Sequence, residues 1–157
     1  MSPAEIIAAG ALLLILLPII LFDLRERRIP NQLNLLLAAT GLAYRACTAA
    51  SWTALATTLL SALIVIAMFM GLIGAMKLLR RSGTLGLGDV KFLAAASIWV
   101  GFVGTTLVFV LASLFALIFT LARAPWRQLD FRAAIPFAPF LAISLALIFT
   151  TSASFSN

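Results

Sequence analysis

The chain has 157 residues, of which 64% are hydrophobic and 10% are charged, and its formal net charge is +6. Soluble domains average about 25% charged residues, so this composition excludes an ordinary soluble domain and indicates a membrane protein. The absence of histidine and the single cysteine, Cys47, exclude His-dependent triads, His-ligated zinc and an internal disulfide. We therefore expect no metal and no cofactor. Acid–base chemistry must come from five carboxyl side chains: Glu5, Asp23, Glu26, Asp89 and Asp130.

Apolar runs separated by polar breaks predict membrane-spanning helices along the whole chain. The first run lacks the basic start and the cleavage site of a signal peptide. A polar segment follows it, in which Pro30 disfavours helix at Ile29 and Asn31 can cap the next helix. The predicted spans are Ala4 to Phe22, Leu33 to Ala50, Ala54 to Met76, two spans within Phe92 to Ala122, and Ile135 to Thr150.

The run from Phe92 to Ala122 is long for one span and short for two. We interpret it as two spans because Gly101 and Gly104 offer a turn, near which Trp99 can act as an interfacial anchor. Six spans also place every Lys and Arg except Arg45 on one side, which the positive-inside rule identifies as the cytoplasm.

The predicted fold is therefore an all-α integral membrane protein with about six transmembrane helices and both termini on the non-cytoplasmic side. We expect residues 1–157 to form a single membrane-embedded domain. Arg45 lies toward the outer end of its span, from which its side chain can snorkel to the surface. The basic residues flank helices instead of forming a stripe, so they favour contact with anionic lipid and argue against nucleic acid as a partner.

Two acids mark the boundary of the predicted membrane region. Asp23 closes the first span and Asp89 opens the fourth, so the six-span topology brings both to the same depth on the cytoplasmic side. Such a pair can activate water, one carboxylate taking its proton and the other protonating the carbonyl oxygen. Either aspartate alone can also be a polar boundary residue or a helix cap. Because the macrodipole favours an anion at a helix N-terminus, we expect Asp89 to be ionised and Asp23 protonated.

Gly86 and Gly88 precede Asp89 in the segment "LGLGD". Glycine allows positive φ and close approach of another backbone. An extended peptide could pair with this segment as an added strand and present its scissile bond to Asp89. The alternative is a flexible loop that ends in a helix cap. The segment lacks the G-K-[ST] ending that a phosphate-binding loop requires.

Three motifs, "FDLRERRIPN", "GLGDVKFLAA" and "IPFAPFLAIS", resemble those of the type IV prepilin peptidase family of membrane aspartyl proteases, with Ala138 where glycine is usual. The resemblance implies removal of the leader peptide from pilin-like precursors, in which the leader precedes an apolar helix. It places this reaction at the cytoplasmic face of the bacterial inner membrane. Asp23 and Asp89 match the catalytic pair of the family. Gly86, Gly88 and Lys91 are the candidate substrate-binding residues.

Larger members of that family carry a cysteine-containing cytoplasmic insert and also methylate the new N-terminus. Here Asp23 follows the first span directly, so we expect peptidase activity without methyltransferase activity, as in the branch that serves Flp/Tad-type pili. One alternative is a Ser-Lys protease that uses Ser82 or Ser97 with Lys77 or Lys91. Another is a non-catalytic membrane scaffold or a small transporter subunit of a secretion or pilus machine.

Overall fold

The computed structural model describes residues 2–49, 51–78, 86–123 and 136–155. These residues form five helices: α1 (Pro3–Glu26), α2 (Asn31–Thr48), α3 (Trp52–Leu78), α4 (Leu87–Arg123) and α5 (Ala138–Phe155). Three of them, α1, α3 and α4, are long and apolar enough to cross a membrane, and α5 contains a shorter apolar helix over Ala138–Ser152. The prediction of an all-helical protein with membrane-spanning apolar helices is confirmed at this level.

The turn between α1 and α2 is short because α1 ends on a left-handed residue. Arg27 has φ 53° and donates its N–H to the carbonyl of Asp23 at 3.0 Å. Pro30, which supplies no side-chain cap, precedes α2, and Asn31 is the first helical residue. The prediction that Asn31 caps α2 is therefore wrong. Its Oδ1 instead accepts a hydrogen bond from Lys91 Nζ at 2.8 Å, which joins the starts of α2 and α4.

Helix α4 is broken at Gly101, which has φ 72° and ψ −178°. The predicted turn therefore falls on Gly101, whereas Gly104 is helical. The break removes helical partners from the carbonyls just before it, and Arg45 replaces them. Its Nε donates to the carbonyl of Ile98 at 3.1 Å and its Nη2 to that of Trp99 at 2.7 Å. Arg45 thus bonds backbone carbonyls of α4, a role that the sequence did not predict.

Trp99 lies in the core and not at an interface. It is 2% exposed, and its Nε1 donates to the carbonyl of Leu37 at 2.9 Å. Its ring stacks on Tyr44 at a centroid distance of 5.8 Å and meets Phe149 edge-on at 5.4 Å. The predicted interfacial anchor is therefore a packing centre that joins α2, α4 and α5. The indole reaches α2 because Gly41 has no side chain there.

Replacing Gly41 by alanine is expected to destabilise the protein. A Cβ at this position would lie 2.6 Å from Trp99 Nε1, so the indole must shift and strain its hydrogen bond. Overpacking of this kind costs about 1–3 kcal/mol. Gly10→Ala is the matched control, because a Cβ there meets nothing within 4 Å. Thermal unfolding in detergent should show a lower midpoint for Gly41→Ala only, and equal midpoints would contradict the packing role of Gly41.

The first half of α4, residues 87–100, is the centre of the bundle. Phe92, Leu93 and Ala96 in this half are fully buried, and α2, α3 and α5 all pack on α4. Apolar side chains on the outer faces of α1 and α3, such as Leu14 and Leu63, are exposed as lipid-facing residues would be. This arrangement places the start of the central half-helix, where Asp89 lies, among the ends of other helices.

Candidate active site

Four helix ends meet around a cavity of about 410 Å³. They are the C-terminal end of α1 and the N-terminal ends of α2, α4 and α5. The residues that line the cavity are Asp23, Arg27, Arg28, Ile29, Asn31, Gly86, Leu87, Gly88, Asp89, Pro136 and Phe137. The two aspartates predicted from sequence therefore face one space, although 66 positions separate them along the chain.

Asp23 is held by the start of another helix. Its side chain is 6% exposed, and its Oδ2 accepts the N–H of Ala138 at 3.0 Å. Ala138 is the first residue of α5, so its N–H has no partner within that helix. That Ala138 stands where the resembling family usually has glycine did not indicate that its N–H binds Asp23. A signal did exist, because Pro136 and Pro139 mark a helix start whose free N–H groups suit a carboxylate.

Asp89 belongs to the first turn of α4. Its backbone N–H donates to the carbonyl of Gly86 at 3.0 Å, and its side chain is partly buried. Asp23 and Asp89 are close enough to interact electrostatically. Both carboxyl groups lie at helix N-termini, Asp89 at that of α4 and Asp23 at that of α5. The macrodipole argument that made Asp89 the ionised member therefore no longer distinguishes the two acids.

The two glycines differ in what they do. Gly88 is helical, so it does not use the positive φ that glycine allows. A Cβ on Gly86 would lie 3.1 Å from Asp89 Oδ2 and would crowd the carboxylate. A Cβ on Gly88 would lie 3.5 Å from the Cβ of Ile29, an ordinary contact. Leu87 to Asp89 are helical, so these residues are not an edge for strand addition.

Replacing Gly86 by alanine should therefore impair the site, whereas Gly88→Ala should be tolerated. The new methyl group at position 86 forces the Asp89 carboxylate to move by a few tenths of an ångström. A full misplacement of a reacting group by about 1 Å can cost about 100-fold in rate, so a smaller effect is expected here. We expect kcat/KM for a reaction that uses Asp89 to fall about tenfold in Gly86→Ala and to change little in Gly88→Ala. The reverse order of the two variants would show that Gly86 does not provide space for Asp89.

Lys91 and Asn34 support the cavity from α4 and α2. Lys91 does not line the cavity itself but bonds Asn31, which does. Asn34 Nδ2 donates to the carbonyl of Gly88 at 3.4 Å, so it ties α2 to the turn that carries Asp89. Asn34 was not among the site residues predicted from the sequence. The signal was the pair Asn31 and Asn34, which are three residues apart and therefore share one face at the start of α2.

Among the described residues, no serine and lysine of the Ser-Lys alternative form a pair. Ser97 is fully buried, and its Oγ donates to the carbonyl of Ala94 at 2.7 Å. Lys91 bonds Asn31, and Lys77 is exposed at the end of α3. Ser82 lies outside the described residues.

Two carboxyl groups that face one cavity in a bundle of apolar helices are compatible with a membrane aspartyl peptidase. A profile of the type IV leader peptidase family matches residues 10–121. The chain belongs to this family, and the predicted recognition is confirmed.

Two curated relatives are similar over most of the chain. The prepilin leader peptidase/N-methyltransferase of Aeromonas salmonicida is 31% identical over 138 residues, which are 88% of this chain and 47% of that protein. The protein of the same description from Aeromonas hydrophila is 30% identical over 138 residues, with the same coverage of 88% and 47%. The chain thus spans about half the length of these relatives. No solved structure matches the chain significantly.

Proposed function

We propose that the protein is a membrane aspartic-type endopeptidase that removes the leader peptide of pilin-like precursors. The observation that carries this proposal is the cavity in which Asp23 and Asp89 lie together, in a member of the type IV leader peptidase family. The described residues place no other pair of acids in this cavity. The names of the Aeromonas relatives support the same substrate class.

The two acids act as a unit that shares one proton. Two neighbouring carboxylates repel each other, so the singly protonated pair is favoured at the working pH. The ionised carboxylate takes a proton from a water molecule, whose oxygen attacks the scissile carbonyl carbon. The protonated partner donates to the carbonyl oxygen, and the tetrahedral intermediate then expels the amine as it receives a proton. Because coupled acids titrate together, we assign neither role to one aspartate alone.

Helix N-termini supply further stabilisation to this site. The starts of α2, α4 and α5 border the cavity, and each contributes the positive end of its macrodipole. This field favours the carboxylate and the oxyanion that develops during attack. Gly86 contributes space beside Asp89, and Lys91 holds Asn31 at the cavity wall. These are the roles that we propose for Gly86 and Lys91. For Gly88 we propose that its backbone carbonyl anchors the side chain of Asn34.

We propose six membrane segments, counting α4 as two halves, with the cavity on the cytoplasmic side of the inner membrane. Five basic residues lie at the same end of the bundle as the cavity. They stand at the ends of α1 and α3 or at the start of α4: Arg25, Arg27, Arg28, Lys77 and Lys91. The positive-inside rule makes this end cytoplasmic, which puts the start of α1 and the end of α5 on the opposite side. The chain works as a single membrane-embedded unit in the lipid bilayer.

We propose leader cleavage without methyl transfer for this chain. The names of the relatives include both activities. In this chain Asp23 directly follows the first apolar run, with no cysteine-containing segment between them. The test is co-expression with a pilin-like precursor from the same genome, followed by gel shift and mass measurement of the product's N-terminus. The expected product has lost its leader and carries an unmethylated N-terminus. An uncleaved precursor beside a well-accumulated membrane protein would favour the scaffold or transporter alternative.

A further inference from the structure

The cavity contains two acidic side chains, but it needs hydrogen-bond donors to hold a peptide. Each peptide carbonyl that leaves water requires a donor, which an ionised carboxylate cannot supply. The residues from Leu87 to Asp89 are helical, so they do not provide donors in the manner of an edge strand. Among the described residues that line the cavity, Asn31 has the only side-chain amide. Asn31 is exposed, so its amide is accessible to a molecule in the cavity.

The hydrogen bond from Lys91 determines how the Asn31 amide is oriented. Lys91 Nζ lies 2.8 Å from the amide and can only donate, so the atom that it contacts is the acceptor Oδ1. Nδ2 makes no hydrogen bond to another described residue. Lys91 and Asn31 both line an apolar groove between α2 and α3, whereas only Asn31 also lines the cavity. Oδ1 therefore faces the groove, and the N–H groups of Nδ2 are left for a molecule in the cavity.

The same hydrogen bond fixes the amide in place and polarises it. A cation that donates to Oδ1 draws electron density from Nδ2, which strengthens the hydrogen bonds that Nδ2 donates. A donor that is held before the substrate arrives also loses less entropy on binding. Arg27 and Arg28 line the cavity too, but both are exposed, and neither side chain has a hydrogen bond to a described residue. Asn31 is therefore the preorganised side-chain donor among the described residues of the cavity.

We propose that Asn31 Nδ2 donates a hydrogen bond to a backbone carbonyl oxygen of the peptide that binds beside Asp23 and Asp89. This proposal rests on the proposed function, which supplies the peptide. Lys91 is then a positioning residue, because it acts on the substrate only through Asn31. The amide replaces the strand pairing that was predicted for the glycine segment before Asp89. Because every peptide has such carbonyls, this contact orients the bound chain and does not select its sequence.

Replacing Asn31 by aspartate removes the donor and keeps the acceptor for Lys91. If Asn31 served only to join α2 to α4, this variant would cleave as the wild type does, since a carboxylate accepts from Lys91 at least as well. We expect kcat/KM for a pilin-like precursor to fall about tenfold. The thermal unfolding midpoint should be no lower than that of the wild type, because the link between the two helices is kept.

Gln32→Glu is the matched control for the added charge. It makes the same change from amide to carboxylate at the next position, which is exposed and does not line the cavity. Each variant is measured at its own pH optimum, because an added anion can change how the aspartyl pair titrates. Gln32→Glu should keep the wild-type kcat/KM. An unchanged kcat/KM in Asn31→Asp, or an equal fall in both variants, would overturn the proposal.

A double-mutant cycle tests the positioning role of Lys91. Lys91→Met should lower kcat/KM about threefold when Asn31 is present, since the amide must then be immobilised as the peptide binds. In a chain with Asn31→Leu, which has no amide to hold, the same change should have no further effect. An equal fall in the two backgrounds would show that Lys91 does not act through Asn31.

Substrate analogues test the contact without relying on cleavage. In a chain with Asp89→Asn, affinity is measured for a peptide that spans the cleavage junction and for analogues in which one amide at a time is an (E)-alkene, which has no carbonyl oxygen. At one position we expect the alkene to weaken binding about tenfold, and to cause no such loss once Asn31→Asp is added. A peptide that binds without such a position would overturn the role of Asn31 and leave the proposed peptidase function intact. A peptide that binds neither chain, together with no cleavage by the wild type, would reject both.

Discussion

Replacing Asp23 or Asp89 by asparagine is expected to abolish leader cleavage, with kcat/KM falling at least about 100-fold for each variant, because general acid–base catalysis contributes about 10²–10⁴-fold. Asparagine keeps the shape of the side chain and removes the exchangeable proton. At position 23 its Oδ1 can still accept the N–H of Ala138, so the start of α5 should stay in place. Cleavage is followed by gel shift of a co-expressed precursor.

The matched control is Glu26→Gln, which removes an exposed acid from the last turn of α1 without touching the cavity. This variant should cleave as the wild type does. All three variants must accumulate in the membrane at wild-type levels for the comparison to hold. Cleavage that survives in both Asp23→Asn and Asp89→Asn would reject the aspartyl pair. Loss in only one variant would show that a single acid carries the chemistry.

Replacing Arg45 by methionine should give the largest loss of stability. Its guanidinium bonds the carbonyls of Ile98 and Trp99, which the break at Gly101 leaves without helical partners. Hydrogen bonds to charged groups contribute about 1.5–3 kcal/mol each, so we expect the variant to lose about 3 kcal/mol or more. Methionine keeps an apolar stem of similar length and removes the donors. Thermal unfolding in detergent micelles measures the effect.

Arg25→Met is the control for this experiment, since Arg25 is exposed at the end of α1 and should matter little. Arg45→Lys should fall between the wild type and Arg45→Met, because an ammonium group lacks the planar fork that reaches two carbonyls at once. An unchanged unfolding midpoint in Arg45→Met would mean that lipid headgroups or water satisfy the two carbonyls. In that case Arg45 is only a surface cation.

The residues of the candidate site that lie at the borders of apolar runs could be predicted from the sequence. Asp23 and Asp89 each stand at the border of an apolar run, and the predicted six-span topology was enough to suggest that they lie near each other. The break in α4 was also predictable, because Gly101 lies inside a run too long for one span. These features are local in sequence, so composition and spacing reveal them.

The partners of these residues were not predictable, because they depend on contacts between distant helices. Nothing local shows that Arg45 reaches two carbonyls more than 50 positions away, or that Trp99 packs against Gly41 and is not at an interface. The roles of Ala138 and Asn34 arise in the same way, from a neighbouring helix that supplies a free N–H or carbonyl. Sequence patterns define which groups are polar, and tertiary packing decides which of them meet.

The break at Gly101 also constrains how the protein is made. Residues 87–100 extend over about 20 Å as a helix, which is shorter than the hydrocarbon core of about 30 Å. This half-helix is too short to cross a bilayer by itself, and the carbonyls at its end need the Arg45 guanidinium as a hydrogen-bond partner. Arg45 precedes them in the chain, so it is already synthesised when they emerge from the ribosome. We therefore expect insertion of this half-helix into the membrane to require α2 close by, so that Arg45 can bond the carbonyls of Ile98 and Trp99.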